Sequence, residues 1–317
     1  MSAYVHFAIA ASELVLPRNR DDHVRALRAW KEGGILAYDS ALERAIRDMR
    51  DQEAKLAWSE ALLKYLRVNR PGIGPLTESC SGQDGIASLA NVVRIAAVSE
   101  EYCDRAREEE AAAPALSRTL EIVTLARLDV SKEMTAARTL RETANKRGDR
   151  VQDIWDKRFS ALAGLAAKIL IADRYALVAH VRGKSGIGRI LDFIAGSTRV
   201  NTARVELLTM LVSPTHPSEP SIKDQADAAF RLQKDFSESS RLRLSIFPIK
   251  RNISTAHERW LRFDSKAFVF EYGCRSFEGE TVSETKHFAP ISDINQCSAD
   301  EQTWREQAYR DGKPRGP

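Results

Sequence analysis

From Lys168 to Ile249 the chain alternates short apolar runs with longer stretches of helical period, and this alternation restricts the fold more than any other feature. Lys168 to Asp173 reads as a strand, and Ile187 to Ala195 as a helix with Ile190, Leu191 and Ile194 inward. Ala203 to Val212 reads as a strand, Ile222 to Phe236 as an amphipathic helix, and Leu242 to Ile249 as a strand. Arg182 to Gly186 and the proline-rich Ser213 to Pro220 fall between them as loops. Strand–helix–strand–helix–strand spacing predicts βαβ units, whose right-handed crossovers lay parallel strands side by side under helices. A helix from Trp155 to Ala167, with Trp155, Phe159, Leu162 and Ala166 on one stripe, leads into the first strand.

The preceding half reads as more helical. Tyr4 to Ala10 is a buried strand candidate, and Ile35 to Tyr38 a second. Between them Asp21-Asp22 opens a helix through Val24, Leu27 and Trp30 that Gly33-Gly34 ends. Asp39 or Ser40 caps the next helix, which carries Leu42, Ala45, Ile46 and Met49 and resumes through Leu56, Leu62, Leu63 and Leu66. Arg70 to Pro75 stops it and opens a loop reaching to about Asp84. Ile86 to Ala97 fits a helix or a buried strand equally well. Leu116 to Leu128 and Met134 to Leu140 continue a helical period, and Ala144 to Asp149 looks like an interdomain break. A last helix is expected over Asp300 to Tyr309, then a disordered tail over 311–317.

At 317 residues the chain is long enough for two domains. A net charge of +4 admits an anionic partner without requiring one, so any phosphate-binding surface must come from local clustering. Cys80, Cys103, Cys274 and Cys297 are widely spaced with no CxxC pair, which argues against a zinc site or disulfide framework and for a reducing cytosol. The apolar stretch Val5 to Ala11 lacks a basic flank, and no run is long enough to span a bilayer, so a cytoplasmic protein is expected.

The stretch from His257 to Asp264 concentrates the chemistry. It holds one imidazole, two guanidiniums and two carboxylates, and an apolar run from Ala267 to Tyr272 leads on to Gly273-Cys274-Arg275-Ser276-Phe277. On a strand His257, Arg259, Leu261 and Phe263 share one face, while Glu258, Trp260, Arg262 and Asp264 share the other. An imidazole and a guanidinium two apart on one face can both reach a phosphate oxygen. Arg241, Arg243, Lys250 and Arg251 add positive charge nearby.

His257, Arg259 and Asp264 form His-x-Arg-x-x-x-x-Asp, which resembles the His-x-Lys-x-x-x-x-Asp motif of the phospholipase D superfamily with Arg in place of Lys. The stretch resembles more closely the phospholipase D-like domains at the C-terminus of MIT-domain proteins. Glu258 stands for an Asp, Arg262 keeps a second Arg, and Gly273, Arg275 and Phe277 keep a later Gly, Arg and Phe. Ile169 to Tyr175 and Val205 to Met210 look like the first and second strands of that domain, so the resemblance covers Trp155 to Phe277. It implies an α/β domain with a mixed, mainly parallel sheet, expected over 149–310; the helical period of the preceding residues gives a mostly α-helical N-terminal domain over 1–148. His257, Arg259 and Asp264 would be catalytic, and Arg259, Arg262 and Arg275 would bind phosphate, joined by Arg182 and Lys184 from the loop before the Ile187 helix. In catalytic relatives a His forms a phosphohistidine without any metal, and the two copies of the motif come from two repeats or two subunits. A single copy therefore implies a homodimer for catalysis, whereas the MIT-type domains are binding modules. The reading is a phosphate-recognising protein directed at nucleic acid, by analogy a bacterial defence component with weak or partner-dependent phosphodiesterase activity. A dimerising or partner-docking module and an anionic-lipid binder are the alternatives. No cofactor or metal is expected.

Three further features carry weaker signals. Arg182-Gly183-Lys184-Ser185-Gly186 suggests a P-loop, but Val178 stands where that pattern needs Gly, leaving a strand-to-helix loop suited to an anion. His216 lies in a loop after a parallel strand, where sites of α/β sheets collect. Glu13, Glu43 and Asp104 faintly resemble the carboxylate set of PIN-type nucleases, without the Asp that normally closes the first strand.

Overall fold

A computed structural model describes residues 2–15, 20–69, 89, 92–100, 102–104, 120–198, 203–240, 242–250, 259–285, 288–291 and 294–312. The chain is an α/β protein of two compact units, Met1–Leu140 and Arg141–Pro317, each with its own five-stranded sheet. The expected boundary near residue 148 thus falls slightly late.

The first unit is richer in helix than in strand, but a wholly parallel sheet organises it. Strands β1 (Val5–Ile9), β2 (Gly34–Tyr38), β3 (Arg67–Asn69), β4 (Ile95–Ala97) and β5 (Glu121–Val123) lie in the order β3-β2-β1-β4-β5. Side-chain alternation divides the core. Val5, Phe7, Ile9, Ile95 and Ala97 pack on one face with Trp30 and Trp58; Ala8, Ala10, Ala96 and Val98 pack on the other with Cys103. The helices are α1 (Ala11–Val15), α2 (Arg20–Gly33), α3 (Ser40–Asp48), α4 (Gln52–Lys64) and, after a 3-10 turn at Leu125–Val130, α5 (Lys132–Glu142). Asp39 is the N-cap of α3, its carboxylate accepting from the N–H groups of Ala41 and Leu42; such a cap contributes about 1 kcal/mol. Asp51 does the same for α4.

Two expectations change here. Leu56 and Leu63 are exposed, and α4 instead turns Ala54, Trp58 and Ala61 inward. Glu121–Val123 is a strand and not part of a helix, because its backbone completes the ladder beside β4. Ile95–Ala97 resolves the ambiguous apolar stretch as a strand. The Arg70 to Asp84 loop lies outside the described residues.

The second unit opens with helices α6 (Val151–Arg158) and α7 (Ser160–Ala163), one expected helix divided in two. Strands β6 (Lys168–Ala172), β7 (Arg204–Met210) and β8 (Arg243–Ile249) run parallel, joined through α8 (Ala176–Val181), α9 (Gly186–Ser197) and α10 (Ile222–Ser240). The hairpin β9 (Trp260–Phe263) and β10 (Lys266–Val269) adds to the other side of β6, antiparallel to it, giving the order β10-β9-β6-β7-β8. A mixed, mainly parallel sheet is thus present as expected.

Aromatic rings fill one side of this unit. Phe159 lies 5.3 Å from Phe268, 5.4 Å from Phe288 and 6.1 Å from Phe263 between ring centroids, and Phe270 stacks on Phe277 at 5.6 Å. The other face is covered by the last helix, α11 (Ile294–Asp311), whose Trp304 packs with Leu170, Leu208 and Trp260 and donates its indole N–H to the Phe247 carbonyl. This helix runs longer than expected at both ends. It includes Asp311, whose carboxylate accepts from Lys250 N–H, so only 313–317 of the expected tail remains, outside the described residues. Among the described residues, no helix is long and apolar enough to cross a membrane.

Candidate functional site

The carboxyl end of a parallel strand beside a change of direction is where α/β sheets hold ligands. In the second unit that place is the end of β6, where β9 joins antiparallel and Ala172 faces Trp260. The next residue along each strand axis is Asp173 on one side and, before Trp260, Arg259 on the other. A cleft of about 430 Å³ opens here, within the range of small-ligand pockets. Arg182, Lys184, Arg259 and Arg275 bring positive charge to its lining, Tyr175 and Tyr272 bring rings, and Asp173 and Glu278 bring carboxylates.

Asp173 organises the cleft floor. It is buried, with Oδ1 accepting from the Tyr175 N–H at 2.9 Å and Oδ2 from the Cys274 N–H at 2.7 Å. Arg259 Nε lies 3.7 Å from Asp173 Oδ1, and an Arg259 Nη donates to the Glu271 carbonyl at 3.0 Å. The guanidinium is therefore held from two sides while its remaining donors can turn to the cleft. It also lies 5.6 Å from the centroid of the Tyr175 ring, and Arg174 lies 4.9 Å from the same centroid. Gly273 makes the approach of these groups possible. Its φ of +60° lies in the left-handed region, and a Cβ there would stand 2.2 Å from Asp173 Oδ2 and 2.7 Å from Arg259 Cδ. Burial, followed by the charge of Asp173, pushes the Cys274 thiol well above its ordinary range, which favours its neutral form.

The other cations come from two separate segments. Arg182 and Lys184 sit in the turn between α8 and α9, and Arg275 in the 3-10 turn Gly273–Phe277. Gly186, first residue of α9, locks the two segments together, since a Cβ on it would fall 2.0 Å from the Cys274 carbonyl oxygen. Arg182 pairs with Glu219 at 3.3 Å; Lys184 and Arg275 are exposed and have no ion pair among the described residues. Hydrogen bonds from Thr215, ahead of that from Arg182, hold the Glu219 carboxyl below its ordinary range.

Four of the sequence-predicted phosphate ligands, Arg182, Lys184, Arg259 and Arg275, thus meet at one cleft, although 93 residues separate the first from the last. Two other predicted site residues do not join them. Arg262 projects from the opposite face of β9, under α11, where it pairs with the buried Glu301 and donates to the Asp264 carbonyl. Arg305, Glu206 and Lys168 extend that row, with Arg305 Nη 2.6 Å from Glu206 and Lys168 Nζ 3.2 Å from it. Arg262 is therefore a structural cation. Asp264 lies at the far end of β9 from Arg259, in the turn to β10, with a φ of +46°. Its two carboxylate oxygens accept from the N–H groups of Ala167 and Lys168 at 3.0 and 2.9 Å, which anchors the start of β6. That position corrects its reading as a catalytic partner of Arg259. His257 and Glu258 lie outside the described residues.

Of the weaker candidates, His216 is an exposed loop residue bonded to Ser218. Glu13 is fully buried in α1, whereas Glu43 and Asp104 are exposed and Glu43 pairs with Arg47. Among the described residues, no three His, Cys, Asp or Glu side chains come together to hold a metal ion. Sequence reasoning did not assign Asp173, Tyr175, Tyr272 or Glu278 to a site. Asp173 and Tyr175 carried one signal, their place just past the end of a buried strand.

No family model matches this chain, and no curated protein matches it. Among solved structures it is similar to one of TrmBL2, described as an archaeal chromatin protein with a novel mode of DNA binding, at 13% identity over 91% of this chain and 92% of that one. The TM-score of 0.28 is too low to define a shared fold.

Proposed function

We propose that this protein recognises phosphate through the β6–β9 cleft of its second unit and is directed by it at nucleic acid. The observation that carries the reading is the convergence of Arg182, Lys184, Arg259 and Arg275 on one ligand-sized cavity, with two tyrosines in the same lining. Guanidinium forks and an ammonium suit phosphate oxygens, and an aromatic face suits an unstacked base. Binding, not hydrolysis, is what the described groups support best. Burial favours the neutral form of Cys274, and Asp264 anchors a turn at the other end of β9. A phospholipase D-like phosphodiesterase step would fall to His257, and EDTA-resistant cleavage abolished by His257→Ala would establish it.

The test is binding of single-stranded DNA and RNA by the full chain at two salt concentrations. Each phosphate neutralised on a single strand contributes about −0.7 to the slope of log K against log salt, so up to four contacts give a slope of about −2 to −3. Lys184→Ala and Arg275→Ala, both at exposed positions, each flatten it by about 0.7. Absent or salt-insensitive binding, or binding that the double variant leaves unchanged, overturns the proposal.

A further inference from the structure

The composition of the cleft bears on which phosphate it takes. Its four cations face two lining carboxylates, Asp173 and Glu278, and Arg182 is also paired with Glu219 just outside the lining, so Lys184 and Arg275 are the cations without an ion pair among the described residues. Asp173 is committed to Arg259 and two backbone N–H groups, while Lys184 and Arg275 enter from separate turns. An internal phosphodiester brings one negative charge and two free oxygens. A phosphomonoester brings a charge of about −1.5 to −2 and three acceptor oxygens, which Lys184, Arg275 and the remaining donors of Arg259 can satisfy together. The cleft is also bounded below. Gly273, Asp173 and Arg259 are packed so closely that not even a methyl group fits at Gly273, so this side of the cleft is built of fixed groups against which a phosphate can rest. Tyr175 and Tyr272 line the same cavity yet remain 40% and 38% exposed, which offers a ring beside the phosphate for the adjoining base.

From these features we infer that the cleft seats a terminal nucleotide carrying a phosphomonoester, in preference to the internal phosphodiesters of a passing strand. The inference rests on the phosphate-recognition reading above and narrows it to the end of a strand or a free nucleoside monophosphate, which present the same chemistry.

The experiment is fluorescence anisotropy with the full chain and one oligonucleotide sequence in four forms: 5′-phosphorylated, 3′-phosphorylated, hydroxyl at both ends, and circular. Nucleoside monophosphates, inorganic phosphate and a phosphoserine peptide serve as competitors. One phosphorylated form is expected to bind roughly tenfold to a hundredfold tighter than the hydroxyl-ended and circular forms, the equivalent of one further charge-assisted hydrogen bond. Lys184→Ala with Arg275→Ala removes that preference at an unchanged melting temperature, and Tyr272→Ala weakens the nucleotide but not inorganic phosphate. Competition by a nucleoside monophosphate places the recognition on the nucleotide itself; competition only by phosphorylated strands places it on a strand end. Equal, salt-dependent binding of all four forms overturns this inference and leaves phosphate recognition standing, whereas absence of any binding overturns both. Displacement by inorganic phosphate or the phosphopeptide as effective as by the nucleotide overturns the nucleotide assignment.

Discussion

Gly273→Ala tests the packing on which the cleft depends. Two costs add at this position. An alanine forced to a φ of +60° loses about 1–2 kcal/mol against glycine. Its methyl would then stand 2.2 Å from Asp173 Oδ2, against a buried carboxylate already fixed by two backbone N–H groups, and relieving such a contact costs about 1–3 kcal/mol. Gly148 supplies the control in the same unit. Its φ is +91°, but nothing stands within 4 Å of a Cβ, so Gly148→Ala incurs the backbone cost alone. The difference between the variants is then the clash, about 1–3 kcal/mol, and in a unit of this size each kcal/mol lowers Tm by about 2–4 °C. Scanning calorimetry of the full chain should show Gly273→Ala melting about 2–12 °C below Gly148→Ala. Binding of phosphorylated oligonucleotide should fall only in the former, because Asp173 and Arg259 must shift. Equal melting temperatures with equal binding would refute the geometry assigned to the cleft floor.

Three further outcomes follow from the surrounding structure. Asp264→Ala removes the acceptor for the Ala167 and Lys168 N–H groups and should destabilise the second unit by about 1–3 kcal/mol in urea titration, with oligonucleotide affinity unchanged; lost affinity in a folded variant would return Asp264 to the site. Glu301→Gln leaves Arg262 charged under α11 without its counter-ion and should cost about 3–5 kcal/mol, again with binding intact in the folded protein; a shift below 1 kcal/mol would mean that this row is solvated. His180 is held below its ordinary range by burial and next by Arg231, with Asp235 opposing, so it is neutral in the folded protein while the unfolded chain protonates near pH 6.5. Its stabilising contribution is therefore complete above about pH 6.5 and falls as pH drops through the lowered native value. Melting curves between pH 7.5 and 5 should decline less steeply for His180→Gln than for the parent, and parallel declines would refute the assignment.

Much of the second unit was legible because its signals are local. Buried strands of five to seven residues are bounded by loops, and the two longer helices between them, α9 and α10, have a sustained apolar stripe. The first unit was harder to read because β3, β4 and β5 are three residues each, too short to show a period, and only pairing of β3 with β2, β4 with β1 and β5 with β4 makes them strands. Glu121-Ile122-Val123 continues an apparent helical rhythm in the sequence, yet its backbone hydrogen bonds go to β4. Local period was outweighed there by a ladder that no short window contains.

The same division runs through the candidate site. The sequence alone determined that the second half is an α/β sheet and that Arg259 and Arg262, on one extended stretch, point to opposite faces, since these depend on backbone geometry repeated every residue. Only the tertiary structure decided which cation serves the cleft. Arg259 meets Asp173, from the end of a strand 86 residues earlier, and so stands at an open cavity; Arg262 meets Glu301, from a helix 39 residues later, and is sealed beneath it. Asp264, beside them in sequence, is turned by the hairpin to the opposite end of the sheet. Charge and spacing are properties of the chain, whereas the partner that neutralises a charge or leaves it available is fixed by which distant segment packs against it.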